Sequence, residues 1–321
     1  MTDDTLAIGV DIGGSSAKIA LVTSRGELDA LETVPTADSS DPSDVLAPID
    51  RAIDRVRALA VRGDRPVMAI GCGVPGNLDA SGERVLYNNL PALDGLNLAR
   101  WLQDKHKLPV VLDNDCCAAA RAEVSRLNAV DGSFHRVLFV SVGSGIGAVL
   151  LVDGEVIRLV EGVTGDAGHI VVDRSSHERC PVGCRGCLET VASGTAIARS
   201  ARRAIAMGRP TALAVDPQMH RSVTASDVAS AARAGDQVAI EILNDAGTWL
   251  GVGLASMAPL YAPDLIILGG GVSGAGDVWL TSAAEALREH GMPHYSARIS
   301  IRMAVLGPQA GVIGAGLMAL R

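Results

Sequence analysis

Aromatic side chains are scarce, at 2% of 321 residues, so a core of any size must be filled by Val, Ile, Leu and Ala, within a hydrophobic share of 48%. No apolar run approaches the roughly 20 residues a membrane-spanning helix needs. The opening stretch MTDDTLAIGV is acidic and lacks the basic, apolar and small-residue regions of a signal peptide. A soluble cytoplasmic protein with no membrane partner is expected. Positive charge is also short, with 28 Lys and Arg against 36 Asp and Glu and a net charge of -8. That argues against a general nucleic-acid binder, whose affinity rests on neutralising phosphates. It does not exclude a phosphate ligand, because backbone N–H groups hold phosphate locally. Low-complexity segments are absent, and the length allows two domains or one large one.

Glycine, by contrast, is abundant, with 36 residues, which fits many tight connections between strands and helices. LAIGVDIGG (6–14) and AKIALVTSRGEL (17–28) read as strands opening a sheet, with a turn at Arg25-Gly26. Residues 44–61 space their apolar positions as a helix, with Pro48 expected near its start. VMAIGCGVPG (67–76) and LPVVLDND (108–115) are strands, and residues 116–127 a helix. Residues 136–157 give two strands around a glycine turn, then an Asp153-Gly154 hairpin. Helices over 225–235 and 237–261, a strand and glycines over 263–274, a strand over 298–307 and a helix over 310–321 complete the chain. Residues 195–225 carry no clear pattern. Strands alternate with helices throughout, so the class is α/β.

Six stretches carry chemistry. DIGGSSAK (Asp11 to Lys18) follows a strand with Gly13 and Gly14, where a Cβ would block both the turn and close approach of an anion. Ser15 and Ser16 add hydroxyls and Lys18 a charge; an ordinary hairpin turn reads equally well. VGSGIG repeats the logic at Gly143, Ser144 and Gly145, without the Lys-Ser/Thr ending of a P-loop. LIILGGGVS places Gly269, Gly270 and Gly271 after a third strand. Three glycine loops at strand ends match the place where open α/β sheets bind ligands. DNDCCAA puts Asn114 and Asp115 where a strand passes into a helix; Asp115 reads either as a helix cap or as a base for a substrate hydroxyl. GDAGHIVVD brings Asp166 and His169 three positions apart, for sugar hydroxyls, for metal, or as a plain turn. Finally, RCPVGCRGCLET holds three of the six cysteines within eight positions, pointing in a reducing compartment to metal or redox chemistry. Cys72, Cys116 and Cys117 read as small core residues.

In order and spacing, DIGGSSAK, GCGVPGNLD, NNLP, DND, VGSGIG, GDAGHI, GCLE and LGGGVS resemble the ROK family (repressors, open reading frames, kinases) over nearly the whole chain. The resemblance implies a two-lobed actin-like ATPase (ribonuclease H-like) fold with a cleft between lobes. Its smaller lobe would hold residues 1–115 and 305–321, its larger lobe residues 116–304, and the chain would form a homodimer or homotetramer. It implies ATP-dependent phosphorylation of a hexose at its 6-hydroxyl with Mg²⁺, glucose first, with N-acetylmannosamine, N-acetylglucosamine or another hexose as alternatives. Polyphosphate as donor and a non-catalytic sugar sensor are the further options. By the resemblance Asp115 is the catalytic base. Asp11, Gly13, Gly14, Ser15, Ser16, Lys18, Gly143, Ser144 and Gly145 attend the phosphates, and Gly269, Gly270 and Gly271 the adenosine. Asn89, Asn114, Asp115, Asp166, His169 and Glu189 line the sugar. Family repressors carry a DNA-binding domain ahead of the first glycine loop, which here begins at residue 11, so a kinase is expected.

Two positions depart from the family text. Asp166 stands where Glu is usual, one methylene shorter, which bears on which sugar fits. In the zinc segment, commonly C-x-C-G-x-x-G-C-x-E, the second cysteine is Val182, with Cys184 two positions later. The Cys184 thiolate would complete a site with Cys180, Cys187 and His169, and one His with three Cys is a closed set for structural zinc; loss of zinc or a redox pair are the alternatives.

Overall fold

The computed structural model describes residues 5–36, 39–86, 90–132, 134–158, 166–213 and 222–321. It divides into two compact units, one of Met1–Ser133, Leu151–Gly165 and Pro308–Arg321, the other of Phe134–Leu150 and Asp166–Gly307. Both are α/β. No helix among the described residues is long and apolar enough to cross a membrane.

In the first unit β1 (Leu6–Ile12), β2 (Ser16–Thr23) and β3 (Leu28–Pro35) form an antiparallel meander. The chain then runs through α1 (Pro42–Arg62) to β4 (Val67–Val74), which lies parallel to β1. A small hairpin of β5 (Asn77–Leu78) and β6 (Val85–Leu86) and helix α2 (Leu98–His106) lead to β7 (Val110–Asn114) on the sheet's edge, giving the order β3-β2-β1-β4-β7. Helix α3 (Asp115–Asn128) leaves the end of β7. Pro48 does not start α1. Asp41 caps the helix through Ser43 N–H and Pro42 takes the first turn, leaving Pro48 in the second.

The second unit is built on β8 (Arg136–Val142) and β9 (Ile146–Val152), followed by β10 (Glu155–Val156), in a sheet of order β10-β9-β8-β11-β12. The connection from β9 to β10 puts both Asp153 and Gly154 at positive φ, 52° and 82°, the primed turn a two-residue hairpin favours. Short helix α4 (Leu188–Ala192) breaks at Ser193 into α5 (Gly194–Ala206), in the stretch where sequence patterning is weak. After it come α6 (Ala225–Arg233), α7 (Gln237–Tyr261), β11 (Leu265–Gly269), α8 (Asp277–His290), α9 (Pro293–Ser296) and β12 (Ser300–Met303). The chain returns to the first unit as α10 (Ala310–Ala319), which packs on α3, β1, β4 and β2. Helix α3, which the sequence reading put in the larger lobe, thus belongs with the first unit, held there by α10. Both cores are aliphatic, with Phe139 and Trp279 the two aromatic side chains among the largest fully buried ones.

Candidate functional site

The first unit gathers two carboxylates. Asp11 is the penultimate residue of β1 and pairs with Lys18 Nζ on β2 at 3.5 Å. Its other flank is the start of α10, where a Cβ on Gly311 would lie 2.6 Å from the Asp11 carboxyl carbon. Glycine there gives the carboxylate its room. Burial raises the Asp11 pKa, outweighing the opposing pull of Lys18. Asp115 opens α3, and its carboxyl is pushed up to about 7, first by burial and then by the charge of Asp11. Both residues keep a partly open surface while protein crowds the rest of each side chain.

The capping of α3 falls to the neighbour of Asp115. Asn114 is the N-cap, its Oδ1 accepting from the N–H groups of Cys116 at 2.9 Å and Cys117 at 3.3 Å. Its Nδ2 donates to Gly76 O at 2.9 Å, so the Asn114 amide is engaged in the fold. Asp115 accepts the adjacent Cys116 N–H at 2.7 Å. Just before it, Asp113 is buried and neutralised by Arg158 at 2.5 Å and Arg121 at 3.8 Å.

The first glycine turn is held by its carbonyls. Thr36 Oγ1 donates to Gly13 O at 2.9 Å and Thr36 N–H to Ser15 O at 3.1 Å. A Cβ on Gly14 would meet no protein atom, so nothing in the fold asks for glycine there.

In the second unit, VGSGIG joins β8 to β9. Gly143 N–H closes it by donating to Gly145 O at 2.9 Å. Glu189 in α4 reaches the turn, its Oε2 accepting Ile146 N–H at 3.0 Å, and a Cβ on Gly145 would overlap that carboxylate. In the third glycine run, Gly270 has φ of 86° and a Cβ there would lie 2.5 Å from Val142 O, while Gly271 faces open space. Packing therefore fixes Gly269 against Phe139 and Gly270 against β8, and leaves Gly271 unconstrained.

His169 ends a single 3₁₀ turn, Ala167–His169, whose middle residue must be glycine because a Cβ on Gly168 would overlap Ile146 O. Its Nδ1 lies 3.6 Å from Cys180 Sγ and 3.9 Å from Cys187 Sγ. The three ligand atoms fall within 4.8 Å of one another. A tetrahedral zinc with Zn–S of about 2.3 Å and Zn–N of about 2.0 Å sets S and N about 3.6 Å apart, so these residues fit zinc. Cys184 stands outside the three-atom cluster among the described residues, although its thiol adjoins that of Cys180 and Cys180 N–H donates to Cys184 O at 2.9 Å.

Asp11, Lys18, Gly13 and Asp115 thus share the first unit, and Gly145, Glu189, His169, Cys180 and Cys187 the second. Asp166 is exposed beside His169, and Asn89 lies outside the described residues. Three structural partners escape sequence reading: Gly311 beside Asp11, Arg158 on Asp113, and Thr195, whose hydroxyl donates to Ser144 O at 2.7 Å. For Thr195 a signal exists, since SGTA before an amphipathic run marks a helix start.

Known proteins resemble this chain over nearly its whole length. A glucokinase of Halalkalibacterium halodurans is 33% identical over 313 residues, 98% of this chain and 94% of that one. The solved ROK family glucokinase of Streptomyces griseus, in complex with glucose and AMPPNP, superposes with a TM-score of 0.81 at 30% identity, covering 98% of this chain and 99% of that one. A ROK family transcriptional regulator, homologous to the Escherichia coli MLC protein, superposes at 0.86 with 27% identity over 98% of this chain and 78% of its own. With glycine turns at the ends of β1, β8 and β11 and residues 7–321 matching the ROK family model, the chain belongs to the ROK family.

Proposed function

We propose that the protein phosphorylates a hexose at its 6-hydroxyl with ATP, glucose being the first candidate. The observation that carries this reading is Asp115, a carboxylate relieved of capping by Asn114 and poised near neutrality by burial and by Asp11. A general base works best when its pKa lies near the operating pH. Asp115 takes the proton of the 6-hydroxyl as that oxygen's electron pair attacks the γ-phosphorus and the bond to the ADP oxygen breaks. The glycine turns offer N–H groups to the phosphate oxygens, and Lys18 offers charge; such transfer needs positioning and charge stabilisation more than covalent help. Mg²⁺, when bound with ATP, neutralises developing phosphate charge, and Asp11 would hold it beside the phosphates. The glucokinase relatives support glucose as substrate, and Asp166, His169 and Glu189 would orient its hydroxyls.

The test is ATP turnover on a panel of glucose, mannose, fructose, allose and N-acetylhexosamines. The expected result is turnover fastest with glucose. Sugar binding without turnover on any of them would sink the kinase reading in favour of a sensor, the role the regulator relatives represent.

His169, Cys180 and Cys187 would hold a zinc ion that cross-links the loop ahead of α4, with Cys184 as fourth ligand. Metal analysis checks this: equimolar zinc is expected in the wild type and a clear loss in Cys184→Ser. Undiminished zinc in the variant removes Cys184 from the ligand set.

A further inference from the structure

The second glycine turn does not hold itself in shape. Its Gly143 and Ser144 carbonyls both point at the start of α5. Gly194 N–H donates to Gly143 O at 2.7 Å, and Thr195 Oγ1 donates to Ser144 O at 2.7 Å. Gly194 is buried, and a Cβ on it would stand 2.7 Å from Gly143 O, so glycine permits the approach. The helix is itself well anchored there: Ser193, 1% exposed, caps it through Ala196 N–H at 3.2 Å. On the far side of the turn, Glu189 Oε2 fixes Ile146 N–H at 3.0 Å. Three residues of the turn, Gly143, Ser144 and Ile146, are thus gripped by one corner of chain, residues 189–195.

The consequence follows from peptide geometry. A trans peptide is planar with its C=O and N–H pointing in opposite directions. Fixing Gly143 O toward α5 turns Ser144 N–H the other way, and fixing Ser144 O turns Gly145 N–H the other way. Two adjacent N–H groups are thereby presented on the face opposite α5, the arrangement that binds anions. In the ordinary reading of glycine loops the glycines alone permit this shape. Here the shape is also imposed, through a residue outside the glycine motif.

We infer that Thr195 is a positioning residue for nucleotide phosphate: through Ser144 O it aims the Gly145 N–H, with Gly194 and Glu189 completing the grip. The inference rests on the kinase reading and deepens it. It also gives the Glu189 carboxylate a duty to the phosphate turn, since one of its oxygens is committed to Ile146 whatever the other binds. The corner lies directly behind Cys187, so the cysteine loop and the phosphate turn are joined by a handful of residues in one unit.

Thr195 suits a test because it is exposed and Thr→Val is nearly isosteric, so the fold should tolerate the change. Calorimetric titration of the full chain with Mg²⁺–AMPPNP, and separately with glucose, is the measurement. Thr195→Val should weaken nucleotide binding roughly three- to tenfold, the range of one hydrogen bond, with glucose affinity unchanged. Thr195→Ser, which keeps the hydroxyl, should restore nucleotide affinity. Unchanged nucleotide binding in Thr195→Val overturns the inference and leaves the kinase reading standing. So does equal weakening of both ligands, or failure of the Ser variant to restore affinity. A wild-type chain that binds no nucleotide overturns the inference and the kinase reading together.

Discussion

Asp115→Asn is expected to lower kcat for hexose phosphorylation by roughly 10²- to 10⁴-fold, the usual contribution of a general base. The amide keeps the shape of the carboxylate and can still accept the Cys116 N–H that Asp115 accepts now, at 2.7 Å. It cannot take a proton. Helix α3 should survive, because its cap is Asn114. The variant should even be the more stable protein in alkali. A carboxyl raised to about 7 by burial binds its proton more readily folded than unfolded. Its stabilising contribution is complete below the ordinary carboxylate pKa and lost as pH rises through about 7. Asparagine carries no such penalty. The same carboxyl should set the acid limb of kcat/KM, which reports the free enzyme. Activity should fall below pH of about 7. Asp11→Asn, by removing the neighbouring negative charge, should move that limb to lower pH. A pH series of initial rates checks both, and an Asp115→Asn variant with activity near wild type would end the assignment.

How much of this was legible in the sequence differs by kind of residue. The glycine turns could be read from glycines clustered at strand ends, although Gly270 alone of Gly13, Gly14, Gly143, Gly145, Gly269, Gly270 and Gly271 takes a positive φ. The α/β alternation was legible for the same reason that helices and strands are, through periodic burial. The role of Asp115 was only half legible. Two adjacent residues could each cap α3, and the sequence does not say which side chain turns back onto the helix; Asn114 does. Pro48 misled because a proline attracts a helix start, while Asp41 and Pro42 form a better one six residues earlier. Long-range partners left no trace. Arg158 meets Asp113 across 45 positions and Thr195 meets Ser144 across 51, and no local pattern encodes either pair. The cysteine loop was legible in composition but not in geometry: His169, Cys180 and Cys187 converge, and Cys184 adjoins the cluster without entering it.

A second large effect is expected in the packing of α10. Helix α10 lies on the first unit's sheet with almost no space between backbones. A Cβ on Gly71, in β4, would overlap the Ala315 carbonyl oxygen, lie 2.6 Å from its carbon and 3.2 Å from Ala319 Cβ. Gly9 in β1 meets Val312 in the same way, and from the helix side Gly314 meets the Ala118 backbone and Gly316 meets Val22. The obstacles are mostly backbone atoms of buried elements, which cannot rotate aside as a side chain would. Valine suits a strand conformation, so Gly71→Val isolates the steric cost. To make room, α10 must lift from the sheet, losing contact with β1 and β4 and disturbing α3 through Gly314. Overpacking costs typically about 1–3 kcal/mol and sometimes more, and here one helix carries the strain across several elements. Against a total stability of about 5–15 kcal/mol, a marked fall in the urea midpoint is expected, with Gly71→Ala milder in the same direction. Gly274→Ala is the control, since a Cβ there meets nothing and its φ is not positive; its midpoint should hold within about 0.5 kcal/mol of wild type. Because Gly311 at the start of α10 abuts the Asp11 carboxylate, lifting the helix should also displace Asp11 and with it the charge that tunes Asp115. The folded fraction of Gly71→Val should therefore show a shifted acid limb as well as lower stability. A variant that unfolds more easily yet keeps the wild-type pH profile would show that α10 carries the fold alone and not the site.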